Sequence, residues 1–236
     1  MRFEPTAARE PIGYPVLDEW LAALFPPGAV LARLTGHGDP AVLSRRERDC
    51  TGSFGAKRLS EFAAGRACAR MVLERLGIVG HDLTIEADRR PRWPVDIVGS
   101  ITHTNGFCAA VGARRDAIRA IGIDAERRGR VGVELWPSLF VPNERRILDA
   151  LDATAADRFA TFFFSAKEAF YKCRFALATD WLDFTDVEID FDATTHEQSG
   201  PFEARLVADR SSLPRELSGR FAFDGDVVWS GVSVET

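Results

Sequence analysis

The chain enters a long helical stretch twice through nearly the same short phrase, Phe62-Ala63-Ala64 and Phe164-Ser165-Ala166. Each phrase follows a strand-like segment and a charged, Arg/Glu-rich helix start, and each is followed by further strands. A chain of 236 residues written this way is expected to fold as two related α+β halves joined near residues 113–119, with a site in the cleft between them. The division predicted is 1–117 and 118–236.

Local patterns fill in the halves. Residues 16–24 read as a short helix, and 30–35 alternate as a strand. Apolar positions 59, 62, 63, 69, 72, 73 and 76 recur at helical spacing, and Gly77 stops the run. Residues 88–94 form a turn rich in Arg and Pro, His103 falls in a Ser/Thr-rich loop, and 107–112 is a strand. In the second half 118–126 is a strand, 142–148 a capped helix start, and 162–177 the second long helix. Residues 184–190, 202–207 and 227–233 read as strands.

Positive charge is written almost wholly as arginine: 27 arginines against three lysines. Two of those lysines, Lys167 and Lys172, flank Glu168. Lysine is a compact ammonium with a tunable pKa, and arginine a permanently charged planar fork, so lysines kept here point to chemistry. The alternative is a solvated Glu–Lys pair one turn apart on a helix. Residues two apart on a strand face the same way, so Asp124 and Glu126 present two carboxylates on one face. With Glu168 they make an oxygen-only set suited to a hard cation such as Mg²⁺, whose remaining positions water and phosphate fill. Asp124 capping a turn and Glu126 pairing with Arg127 or Arg128 is the plainer alternative. Arg58 and Arg66 lie about 80° apart around one helix, and Arg89, Arg90 and Arg92 sit beside Trp93, as further donors to anions. No Walker loop or GxGxxG is present.

The net charge of −5 argues against a nucleic-acid partner despite the arginines. No apolar run approaches the roughly 18 residues of a membrane span. The N-terminus has no apolar signal region, and Cys50, Cys68, Cys108 and Cys173 form no CxxC pair, so a cytoplasmic protein with free thiols is expected.

Read in order, Lys57-Arg58 through Gly65-Arg66, Trp93-Pro94, Gly99-Ser100-Ile101-Thr102-His103, Gly122-Ile123-Asp124-Ala125-Glu126 and Phe164-Ser165-Ala166-Lys167-Glu168 with Tyr171-Lys172 resemble the 4′-phosphopantetheinyl transferases. The resemblance is to the monomeric type that activates siderophore, polyketide and non-ribosomal peptide synthetases. It implies a pseudo-dimer of α+β halves with coenzyme A in the cleft. It implies Mg²⁺, with Mn²⁺ an alternative, held by Asp124, Glu126 and Glu168 against the pyrophosphate. Glu168 would be the base for a carrier-protein serine. Lys167 and Lys172 would neutralise phosphate, with Lys172 protonating the departing 3′,5′-ADP. Arg58, Arg66, Thr102 and His103, helped by Arg89, would bind the 3′-phosphate end. Ala125 leaves one ligand position to water. The implied partners are coenzyme A and an apo acyl or peptidyl carrier protein. A non-catalytic binder of coenzyme A is the competing reading.

Overall fold

The computed structural model describes residues 11–178, 181–192, 198–207 and 214–236. Its first half runs β1 (Val16–Leu17), α1 (Glu19–Ala22), β2 (Val30–Thr35), α2 (Arg45–Asp49), α3 (Ala56–Arg75), β3 (Ile97–Thr104) and β4 (Phe107–Arg114). The second runs β5 (Ile118–Arg127), α4 (Trp136–Leu139), α5 (Pro142–Asp149), α6 (Ala153–Phe175), β6 (Val187–Asp190), β7 (Ser199–Leu206), β8 (Glu216–Asp224) and β9 (Val227–Glu235). The strands form two antiparallel sheets, ordered β1-β2-β4-β3 and β5-β9-β8-β7-β6. Each sheet packs one long helix, α3 on the first and α6 on the second, so the expected two-halved α+β architecture is the one observed.

Small residues let α3 lie close to its sheet: Ala64, Ala69 and Cys68 are buried with Val72 and Leu73 against Leu34, Ile97 and Ala110. α6 starts at Asp152, whose carboxylate caps the amides of Thr154 and Ala155 at 2.9 and 3.0 Å. It buries Phe162, Phe163 and Phe170 against Phe202 and Phe221 of the second sheet. A third cluster, with Leu21, Val111, Ile121, Ile123 and Trp229, fills the space where the halves face each other.

The seam between the sheets is made by hydroxyls. β3 and β5 are edge strands of different sheets. Ser100 Oγ accepts from the Ile123 amide and Thr102 Oγ1 from the Ala125 amide, each at 3.2 Å. Edge amides that would otherwise be buried unpaired thus find partners across the cleft floor.

Several boundaries differ from the sequence reading. Residues 97–104 are one strand, so His103 stands on β3 rather than in a loop, with its partner in the ladder being Cys108. The short helix expected at 16–24 is a two-residue strand followed by a single turn. α6 begins nine residues before 162, because Asp152 supplies the cap. Residues 184–186 form a 3-10 turn before β6, and β8 was not foreseen at all.

Candidate active site

β5 is buried on both faces. Its odd residues Ile121, Ile123 and Ala125 enter the core between the halves, and its even residues face α6. Gly122 makes this possible: a Cβ there would collide with the Ala169 carbonyl and the Cys173 amide of α6. Strand and helix meet backbone to backbone, which brings Asp124 against the last turns of α6.

Lys172 Nζ reaches Asp124 Oδ1 at 2.6 Å, and the Thr102 hydroxyl donates to the same oxygen at 3.0 Å. Burial works to lower the Lys172 pKa, but the charges of Asp124 and Glu168 outweigh it and the pKa is raised. Asp124 Oδ2 and Glu126 Oε2 are buried without a hydrogen-bond partner among the described residues. Burial, aided by the Asp124 charge, raises the Glu126 pKa to about 7. Glu168 is raised too, by burial first, with Lys172 opposing and Asp124 adding. The Asp124 charge contributes to the raised pKa of both Glu126 and Glu168, so the three carboxylates stand within electrostatic reach of one another, with Lys172 the ammonium paired to Asp124.

Among the described residues, no three Asp, Glu, His or Cys side chains are gathered closely enough to hold a metal ion as they stand. The Lys172 ammonium takes up one Asp124 oxygen. The two orphaned oxygens are hard donors with unused lone pairs, and they fit Mg²⁺ or Mn²⁺.

Glu168 and Lys172 line a cleft of about 970 Å³ between the halves, whose opposite wall carries Arg89, Arg90 and Trp93. Arg90 is tied to Asp88 at 2.7 Å, and its guanidinium lies 4.7 Å from the Phe175 ring at the end of α6. Arg92 is clamped by Glu86 at 2.8 and 2.9 Å. Arg89 alone of the three pairs with no carboxylate among the described residues, and it takes a left-handed φ of 70°. Outside the residues that line this cleft, Arg58 Nη1 stands 2.7 Å from His103 Nε2, with Glu61 3.9 Å from the imidazole. Burial lowers the His103 pKa, and the nearby Arg58 and Lys172 add to this against Glu61. A neutral imidazole accepting from Arg58 fits that field.

Three expected phosphate ligands are placed elsewhere. Arg66 is buried: its Nε donates to the Leu83 carbonyl at 2.8 Å, its Nη2 to Thr84 at 3.4 Å, and it lies 3.9 Å over the Phe62 ring. Lys167 is fully buried and paired with Glu144 at 2.7 Å. Residues adjacent on a helix project about 100° apart, so Lys167 cannot share the face of Glu168. Thr102 spends its hydroxyl on Asp124 and the Ala125 amide, positioning the acid rather than meeting a ligand. Ser100 enters the sequence reading only within the Gly99–His103 run and Glu144 only within a capped helix start; their parts at the seam and beneath Lys167 were not readable, since their partners are 23 residues distant.

The comparisons with known proteins follow the same two halves. Residues 31–113 match the 4′-phosphopantetheinyl transferase N-terminal domain, and residues 120–213 match the 4′-phosphopantetheinyl transferase superfamily. The 4′-phosphopantetheinyl transferase PptT of Mycobacterium tuberculosis is 35% identical over 181 residues, covering 75% of this chain and 79% of that protein. The 4′-phosphopantetheinyl transferase Svp of Streptomyces mobaraensis is 36% identical over 209 residues, covering 87% and 81%. Enterobactin synthase component D of Salmonella typhi is 35% identical over 122 residues, covering 51% and 50%. Both halves are matched in chain order, and two relatives agree at more than one residue in three along most of their length. This chain therefore belongs to the 4′-phosphopantetheinyl transferase family.

Proposed function

We propose that the chain transfers the 4′-phosphopantetheine group of coenzyme A to a serine of an apo acyl or peptidyl carrier protein, releasing 3′,5′-ADP. The observation that carries the reading is Glu168 and Lys172 on the wall of a nucleotide-sized cleft, backed by the orphaned oxygens of Asp124 and Glu126. In the reaction the serine oxygen bonds to the β-phosphorus of coenzyme A as the bond from that phosphorus to 3′,5′-ADP breaks. Such a transfer needs charge neutralisation and in-line placement more than covalent help.

Asp124, Glu126 and Glu168 would hold Mg²⁺, with Mn²⁺ an alternative. The metal, when bound, supplies positive charge to the pyrophosphate oxygens. Glu168, made more basic by burial, takes the serine proton. Lys172, kept protonated by Asp124 and Glu168, gives a proton to the departing 3′,5′-ADP. Arg58 and His103 bind the 3′-phosphate, and Arg89 reaches it from the turn. The first half, 1–117, thus holds the nucleotide end and the second, 118–236, the reacting end. One chain supplies both walls, so a monomer suffices.

Among the described residues no helix is long and apolar enough to cross a membrane, and all four cysteines are free thiols. Both agree with a cytoplasmic enzyme. One relative is named enterobactin synthase component D, which supports siderophore synthetases among the carriers we propose as clients. The test is incubation with coenzyme A, Mg²⁺ and an apo carrier domain. A carrier heavier by one phosphopantetheine, with 3′,5′-ADP formed in equal amount, is expected. An unmodified serine in carriers drawn from siderophore, polyketide and peptide synthetases would defeat the reading.

A further inference from the structure

We infer that Lys167 and Glu144 act as a positioning pair that fixes where Glu168 stands against Asp124, an inference that rests on the transferase reading of the site. Lys167 Nζ donates to Glu144 Oε2 at 2.7 Å, to the Leu139 carbonyl at 2.9 Å and to the Phe184 carbonyl at 2.9 Å. An ammonium has three protons, so none is left for a phosphate. Its side chain is 0% exposed, as is that of Glu144.

Glu144 completes the knot. Its Oε2 also accepts from the Val141 amide at 2.9 Å, and its Oε1 from the Ile189 amide at 2.8 Å. One ion pair thereby ties α6 to the end of α4, the start of α5, the 3-10 turn at Phe184 and strand β6. Other directed contacts of α6 in this half are Asp157 with the Gly129 amide at 3.0 Å, Tyr171 with the Leu182 carbonyl at 2.8 Å and Lys172 with Asp124, and much of what remains is Phe and Ala, which fill space without direction. The three hydrogen bonds of Lys167 constrain the rotation of the helix about its axis, and the two amides on Glu144 fix the carboxylate they lead to. Glu168 is the next residue and Lys172 lies four beyond it, so their approach to Asp124 follows from that rotation. Buried ion pairs add little stability over apolar residues, and a specifying role is the better account of one placed here.

The experiment compares wild type, Lys167→Met, Glu144→Gln and the double variant. Coenzyme A affinity and stoichiometry are measured by calorimetry, and kcat per bound site with Mg²⁺ and apo carrier. Wild type that transfers nothing defeats the transferase reading, and not this one. With wild type active, unchanged coenzyme A affinity and stoichiometry are expected, with kcat per site lower by about tenfold or more, as for a group displaced by a fraction of an ångström. The losses in the singles should not sum in the double. Unaltered kcat overturns the inference, as does weakened coenzyme A binding in Lys167→Met with kcat retained. If Lys167→Met does not fold, Glu144→Gln carries the test alone: it keeps shape and an acceptor, and normal kcat in it overturns the inference.

Discussion

Lys172 and Thr102 share one oxygen of Asp124, the ammonium at 2.6 Å and the hydroxyl at 3.0 Å, while the other oxygen is buried without a partner. Thr102 belongs to β3 of the first sheet and Lys172 to α6 of the second half, so this carboxylate is held from both sides of the seam. Its free oxygen has lone pairs that a hard cation can take.

Replacing that carboxylate should therefore abolish transfer with the fold kept. Asp124→Asn retains a Thr102 acceptor and removes the charge. A kcat loss on the order of 10²-fold or more is expected, the scale seen when one preorganised electrostatic group is deleted. Near-normal turnover of Asp124→Asn in the presence of EDTA would show that no metal is held there.

The pH dependence of stability tests the same cluster without activity. Glu126 is raised from 4.5 to about 7, by burial first and then by the Asp124 charge. The folded state thus binds a proton more tightly than the unfolded chain. The resulting stabilisation is complete below about pH 4.5 and is lost as pH rises through 7. The shift corresponds to at most about 3 kcal/mol, less what solvent screening removes. His103, with its lowered pKa, works in the opposite sense. The difference between wild type and Glu126→Gln isolates the carboxyl: in EDTA the wild type should lose stability relative to the variant between pH 5 and 7, and Mg²⁺ should restore it. A constant difference across that range would count against the buried, cation-poor site.

A third expectation separates two arginines of one helix. Arg58→Ala should weaken coenzyme A binding by roughly tenfold, since a charge-assisted hydrogen bond is worth about 1.5–3 kcal/mol, and should weaken 3′-dephospho-coenzyme A far less. Arg66→Ala should leave coenzyme A affinity alone and lower thermal stability, because its guanidinium serves the Leu83 and Thr84 carbonyls. Equal coenzyme A losses in both variants would return Arg66 to the ligand site.

That pair also shows what the sequence can and cannot carry. Strand β5 and its same-face acids follow from a period of two, and both long helices from apolar spacing, so the two halves and the acid face were readable. A spacing of eight placed Arg58 and Arg66 about 80° apart, which is enough to send one to His103 and the other indoors. Only the position of residues 83 and 84, brought over α3 by the chain, decides between them. Lys167 misled in the same way: its rarity among 27 arginines marked it as special, but its partner Glu144 lies 23 residues away on α5. Strand β8 alternates buried and exposed residues as a half-buried strand should, but its buried positions include Gly219, which blunts the hydrophobic signal.

The last prediction concerns carrier docking. Residues 127–140 run from the acid strand to α4, directly after Glu126, and combine arginines with apolar side chains. Trp136, within this segment, is buried against Phe140, with ring centroids 6.3 Å apart. Trp136→Ala is thus a stability change. Val133 and Leu135 are instead 67% and 43% exposed, beside an Arg130 side chain 61% exposed that stands 3.8 Å from Glu126. The family resemblance implies an acidic helical carrier domain, to which an apolar pair with a basic rim is complementary. Val133→Asp combined with Leu135→Asp should raise the KM for carrier several-fold through loss of apolar contact and like-charge repulsion. Coenzyme A affinity and thermal stability should stay as in wild type, because both side chains face solvent. A double variant that modifies its carrier with unaltered KM removes this segment from the interface.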